Sequence, residues 1–251
     1  MTLDNVLTFD TETTGTIPKG CNWKENFKEF PHVVSIAWII GDKEEYHVIR
    51  PDGWEIPLDS QKIHGISTQY ALEHGEPFAS VVDMFITDCL EAELIAGHNI
   101  HFDTSIVKAN IIRDLGEAYY NANDCEQALY KGKRIDTMYS TIKWVGATAI
   151  NGRTKLPNLT ELYHRCFPGE DFEAHNALED VKAVRRCLPR LLEEGLIELK
   201  VKEYETNAET ANKAQQTISP DKVDSCTIQA EISDCSAKNE KITNLLNQED
   251  F

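Results

Sequence analysis

The sequence predicts an α/β domain organised on a mixed β-sheet. Two β-rich runs, 33–40 and 45–50, flank Gly41-Asp42 and read as a hairpin. Strand-like and helix-like periodicities then alternate from residue 77 to residue 194, the pattern of strands joined by helical crossovers. Of the 251 residues, 41% are hydrophobic and 27% charged, which excludes wholesale disorder and suffices for one domain with extra segments.

Residues 5–10, with Val6 to Phe9 at their centre, form the first strand. Residues 33–40 form the second, and 45–50 the third, before Pro51-Asp52-Gly53 breaks the pattern. A helical region over 60–73 is interrupted at His64-Gly65. The helix at 77–91 sets Phe78, Val81, Val82, Phe85, Ile86 and Leu90 on one apolar stripe. Leu94-Ile95-Ala96-Gly97 reads as a buried fourth strand. A helix at about 103–115 follows, closed by Gly116. Residues 134–137 make a short fifth strand. The last strong helix, 176–194, buries Val181, Val184, Leu188, Leu191 and Leu192, and Asn176 with Glu179 spells a capping box at its start. Beyond about residue 199 the pattern collapses. Residues 197–251 carry 11 acids and 6 bases, so the boundary is set at 1–196 for the folded domain and 197–251 for an acidic, flexible tail.

Charge narrows the function. Lys and Arg number 25 against 42 Asp and Glu, a net charge of −17, which excludes nucleic-acid binding through bulk charge. Any phosphate chemistry must rest on a local site. No run of about 18 apolar residues occurs, so no membrane helix is expected. Residues 1–10 hold two acids and no base, which argues against a secretory leader. The seven cysteines are odd in number, widely spaced and without a CxxC. That pattern fits reduced thiols in a cytoplasm better than zinc or a disulfide framework.

Three clusters carry chemistry. Asp10 and Glu12 stand two apart at the end of the first strand and share a face, in the region where α/β sheets place ligands. Such close carboxylates repel unless a cation lies between them, and an all-oxygen donor set suits Mg²⁺ or Mn²⁺. The fourth strand runs into His98-Asn99-Ile100-His101-Phe102-Asp103, which places Asp103 at a helix start, as a cap or facing Asp10. Phe102 reads either as core or as a platform for a base. His98 and Asn99 could both hold the turn by hydrogen bonds, a role favoured for Asn99. In His175-Asn176-Ala177-Leu178-Glu179-Asp180, Asp180 falls in the first helical turn and His175 just outside it, with the pKa range of a general base.

Together these motifs resemble the DEDDh 3′–5′ exonucleases, the DnaQ-like superfamily that includes polymerase proofreading subunits, RNase T and oligoribonuclease. The matching motifs are D-x-E at Asp10-Thr11-Glu12, N-x-x-F-D at Asn99 to Asp103, and H-x-A-x-x-D at His175 to Asp180. Lys62-Ile63-His64-Gly65-Ile66 is similar to the family's I-H-G-I turn. The resemblance covers about residues 6–192. It implies a ribonuclease-H-like fold, a five-stranded mixed sheet flanked by helices. It implies Asp10, Glu12, Asp103 and Asp180 as metal carboxylates for two Mg²⁺ or Mn²⁺, His175 as general base, and Thr13, Ile63, His64 and Phe102 as the cradle of the terminal nucleotide. The activity it implies is removal of nucleoside 5′-monophosphates from the 3′ end of DNA, favoured as single-stranded, in proofreading or repair. An RNase T-like or oligoribonuclease-like exoribonuclease is the alternative, and a non-catalytic binding or polymerase-partner module the less favoured one. Ile242, Leu245 and Leu246 leave the tail two readings, a solubilising segment or a tether to a DNA polymerase or other replication protein.

Two stretches depart from the compact pattern. Residues 17–31 contain Cys21, Trp23, Phe27 and Phe30. Residues 140–167 hold Lys143, Trp144, Arg153, Lys155 and Arg165. Interleaved aromatics and bases suit either a single-strand track or a core with solvated cations.

Overall fold

The computed structural model describes residues 2–200. Five strands form one sheet in the order β3-β2-β1-β4-β5: β1 Val6–Thr13, β2 Val33–Ile40, β3 Lys43–Val48, β4 Leu94–Gly97 and β5 Arg134–Asp136. β2 is antiparallel to β1 and β3, whereas β1, β4 and β5 run parallel. The sheet is therefore mixed, as the motif resemblance implies.

Central β1 alternates along its length. Leu7 and Phe9 pack with Ile36, Trp38 and Phe85 on one side of the sheet, the Phe9 and Phe85 rings 4.9 Å apart. Val6 packs with Leu94, Ala96, Leu188 and Leu191 on the other. The first side is covered by α3 (Phe78–Glu91) and α4 (Ile100–Asp114), the second by α8 (Leu159–Cys166) and α9 (Ala177–Glu193). The remaining helices are α1 (Leu58–His64), α2 (Thr68–His74), α5 (Gly116–Ala122), α6 (Cys125–Ala128) and α7 (Thr137–Val145). Among the described residues no helix is long and apolar enough to cross a membrane. Gly65 ends α1 with a left-handed φ of 78°, the interruption read at His64-Gly65.

Several boundaries differ from the sequence reading. β1 continues through Thr13, with a register shift between Glu12 and Thr13. β3 starts and ends two residues early, because Ile49 leaves it to bridge Glu76. On α3, Cys89 is buried and Leu90 is 39% exposed, since the helical row from Val82 and Phe85 continues to Cys89. Helices α5 to α8 occupy stretches where no element was expected. Residues 17–30 are packed rather than loose: Phe30 is buried, and Trp23 and Phe27 rest on the core against α4 and α5. Trp144 lies half-buried under the Arg165 guanidinium at 5.1 Å and Lys155 pairs with Glu161 at 2.7 Å, whereas Lys143 and Arg153 are exposed. Ile197 is buried, with Leu196 and Leu199 against it, so chain assigned to the tail packs on the second core. The weak apolar pattern at Ile242, Leu245 and Leu246 and the flexible character of the tail lie outside the described residues.

Candidate active site

β1 delivers Asp10 and Glu12 to the same face, and α9 delivers Asp180 from above it. One carboxylate oxygen of each lies within 4.8 Å of the others. The register shift beyond Glu12 is a bulge-like irregularity, a device that re-aims a side chain at a strand end. Asp180 sits in the first turn of α9, whose N-cap is Asn176; the Asn176 side chain accepts from the Leu178 and Glu179 backbone N–H groups. Glu179 does not return the bond and instead accepts from Lys182 at 3.2 Å, so the capping box is half formed.

Asp103 is the fourth acid and is held differently. It is 3% exposed. Its Oδ1 accepts both the Thr11 backbone N–H, at 3.1 Å, and the Thr11 hydroxyl, at 2.7 Å. It lies outside the group of three but close enough to raise the pKa of Asp10 and Glu12. Asp103 is not a cap. Asn99, left-handed at φ 68°, precedes a helix that begins at Ile100, three residues earlier than the sequence suggested. Asn99 makes no side-chain cap bond. The turn is held by His98, whose Nδ1 meets the Thr137 hydroxyl at 3.0 Å and whose Nε2 meets the Pro157 carbonyl at 2.9 Å. Asp136, unremarked in the sequence, accepts from the backbone N–H of Asn99, Met138 and Tyr139. Gly97 fits here because a Cβ would come within 3.1 Å of the Phe9 carbonyl and crowd Ile100.

The electrostatics are those of acids forced together. Burial, then Asp103, Asp180 and Glu12, push Asp10 well above the usual carboxylate range. Burial, then Asp180 and Asp103, push Glu12 up to about 7. Burial lifts Asp103 to about 7 against the two Thr11 hydrogen bonds, and lifts Asp180 to about 7 against a bond from the His175 N–H. Bringing four such oxygens together without a counter-charge is unfavourable, so the donor set fits hard divalent cations and nothing in it favours a softer metal.

His175 stands at φ 68°, exposed, and its backbone N–H donates to Asp180 Oδ2 at 3.2 Å. The ring makes no hydrogen bond among the described residues. Thr13 follows Glu12 and donates its hydroxyl to the Gly15 carbonyl at 2.6 Å. Phe102, half-buried, adjoins Asp103. At the end of α1, Ile63 is 58% exposed. His64 Nδ1 accepts from the Ile66 N–H at 3.1 Å, so Nε2 carries the hydrogen; that atom is buried without a partner. Burial also lowers the His64 pKa, which keeps the ring neutral.

Comparisons with known proteins bear on the family and the fold. The family model described as exonuclease, RNase T, matches residues 7–188. No curated protein matches the sequence. Among solved structures, Escherichia coli exonuclease I in complex with a dA16 oligonucleotide is 22% identical with a TM-score of 0.53, covering 75% of this chain and 42% of that one. Exonuclease I from Methylocaldum szegediense is 20% identical with a TM-score of 0.54, covering 75% and 40%. A product-bound exonuclease I is 20% identical with a TM-score of 0.55, covering 76% and 44%. These likenesses establish the ribonuclease-H-like fold. The chain spans about two-fifths of the length of the exonuclease I structures it matches.

Proposed function

Since the chain belongs to the exonuclease family typified by RNase T, we propose that it removes nucleoside 5′-monophosphates one at a time from the 3′ end of single-stranded DNA. The observation that carries this reading is the convergence of Asp10, Glu12 and Asp180 within 4.8 Å, with Asp103 alongside. These four carboxylates would hold two Mg²⁺ or Mn²⁺ ions. When bound, such ions neutralise the scissile phosphate and make water more acidic.

The protein's own groups do the rest. His175, exposed at the lip of the cluster, takes the proton of the attacking water at a ring nitrogen. Its left-handed backbone and its N–H bond to Asp180 fix the ring's starting point beside that carboxylate. The His64 Nε2–H is a buried donor without an acceptor, which suits it to a phosphate or sugar oxygen of the terminal nucleotide. Thr13, Ile63 and Phe102 complete the cradle, with Phe102 offering a ring face to the base. Single-stranded DNA is favoured over RNA because exonuclease I, whose structures share this fold, has been seen with a dA16 oligonucleotide.

The test is digestion of matched DNA and RNA oligomers carrying a 5′ label. The wild-type protein with Mg²⁺ should give a ladder shortening from the 3′ end, faster on DNA, and none in EDTA. His175→Ala should lower kcat about 10²–10⁴-fold while calorimetry shows Mg²⁺ binding nearly unchanged. Loss of Mg²⁺ binding in that variant would make His175 a ligand instead of the base. Endonucleolytic products, or no metal requirement, would end the reading.

A further inference from the structure

We propose that the exposed face of α7 binds the substrate strand on the 5′ side of the scissile bond, with the Tyr139 ring against a base and the Lys143 ammonium on a backbone phosphate. The proposal rests on the exonuclease reading above and deepens it by naming where the rest of the strand lies.

The sheet places this face beside the carboxylates. β1, β4 and β5 run parallel, so their carboxyl ends lie along one edge. Asp10 and Glu12 stand at that edge on β1. Asp136 ends β5 two strands away, about 10 Å across the sheet. One oxygen of Asp136 then joins two elements. Its Oδ1 accepts from the Asn99 N–H at 3.3 Å and from the Tyr139 N–H at 3.2 Å. Asn99 opens the turn into α4, and so leads to Phe102 and Asp103. A second tie runs between the same elements: the ring of His98, the neighbour of Asn99, meets the Thr137 hydroxyl of α7 at 3.0 Å. The first turn of α7 is therefore fixed by hydrogen bonds to the turn that delivers the fourth carboxylate.

α7 buries Thr137, Met138 and Thr141. Tyr139 and Lys143, four residues apart, are neighbours on its exposed side, about 6 Å apart along the axis. Tyr139 is 56% exposed. Neither its hydroxyl nor the Lys143 ammonium has a hydrogen-bonding or ionic partner among the described residues. The charge of this stretch runs against that of the whole chain. In a protein of net charge −17, residues 137–160 contain Lys143, Arg153 and Lys155 and no acid. Asp136, just before them, is occupied by three backbone N–H groups, and Glu161, just after them, by Lys155. A free ring face next to an unpaired cation, with the adjoining acids engaged, is the combination that holds a single strand, base on the ring and phosphate on the cation.

The test is binding, read by fluorescence anisotropy in Mg²⁺, of a 5′-labelled 12-nucleotide thymidine strand whose phosphorothioate linkages resist cleavage. Tyr139→Ala should weaken binding on the order of tenfold, whereas Tyr139→Phe, which keeps the ring, should stay within about twofold of wild type. Lys143→Gln should flatten the slope of log K against log salt by about 0.7, the share of one single-strand phosphate. Lys28→Gln, at an exposed lysine outside α7, should leave that slope unchanged. No binding by the wild type, full affinity in Tyr139→Ala, equal losses in the two Tyr139 variants, or equal slopes in the two lysine variants would overturn the proposal. The same strand with ordinary phosphodiester linkages separates the two claims. Tyr139→Ala should raise its KM about tenfold and leave kcat within about twofold. Failure of the wild type to shorten it, with the binding pattern as expected, counts against the nuclease reading alone. Normal shortening with KM unmoved in Tyr139→Ala counts against the α7 site alone.

Discussion

Thr11 decides how Asp103 is presented. It alternates away from Asp10 and Glu12 along β1, yet both its N–H and its hydroxyl donate to one oxygen of Asp103. Those two bonds oppose the rise in Asp103 pKa that burial causes. Thr11→Val keeps the shape and the backbone bond but deletes the hydroxyl. Asp103 should then titrate higher, and the rising limb of the pH–rate profile should move to higher pH. Turnover at pH 7 should fall several-fold and recover toward pH 9; an unmoved profile would deny Thr11 this role. The converging acids were legible in the sequence because their spacing and order carry chemistry. Thr11 and Asp136 were not. Thr11 reaches Asp103, and Asp136 the Asn99 N–H, through hydrogen bonds between residues far apart in sequence that no local pattern encodes.

Caps separate stability from catalysis at the scale of the helix. Asn158 and Glu161 form a reciprocal capping box on α8, each side chain meeting the other's backbone N–H at 2.8–2.9 Å. Asn176 caps α9 without reciprocity, but it stands between His175 and the turn that holds Asp180. Replacing either asparagine by Ala should cost about 1 kcal/mol of stability, read from denaturant unfolding. Only Asn176→Ala should also cost activity, about tenfold or more, because a small displacement of reacting groups is amplified in rate. Equal activity in both variants would mean that the α9 cap does not position the site. Strong periodicity made β2, α3 and α9 legible, whereas α8 went unread although its Asn158-x-x-Glu161 signal has the same form as the one read at Asn176. The early start of α4 was hidden for another reason. Asn99 enters it through a left-handed backbone rather than through a side-chain cap.

Over the whole molecule, a strongly acidic protein can act on phosphate only where bound cations reverse its charge locally, and the sheet gathers the acids that would hold them at one end of β1. The mixed five-stranded architecture followed from the hairpin and the β–α alternation, but the meeting of acids from β1, α4 and α9 needed the fold itself. The raised carboxylates have a consequence for stability. A group whose folded pKa exceeds its unfolded value binds more protons when folded, so stability falls as pH rises between the two values. For Glu12, Asp103 and Asp180 that window runs from the ordinary carboxylate range up to about 7. His32, His64, His98 and His101 are all held below their ordinary value, His32 at about 4, and act in the opposite sense up to about pH 6.5. The carboxylates therefore dominate from about pH 6.5 to 8. Thermal melting over that range, with and without Mg²⁺, is the most direct test of a divalent-cation centre built from these acids. Without metal the melting temperature should fall as pH rises. With Mg²⁺ at about a hundred times its dissociation constant, the protein should regain about 2.7 kcal/mol at pH 8, and Asp10→Asn should blunt both effects. A metal-free profile that is flat across this range, with no shift on adding Mg²⁺, would contradict the account.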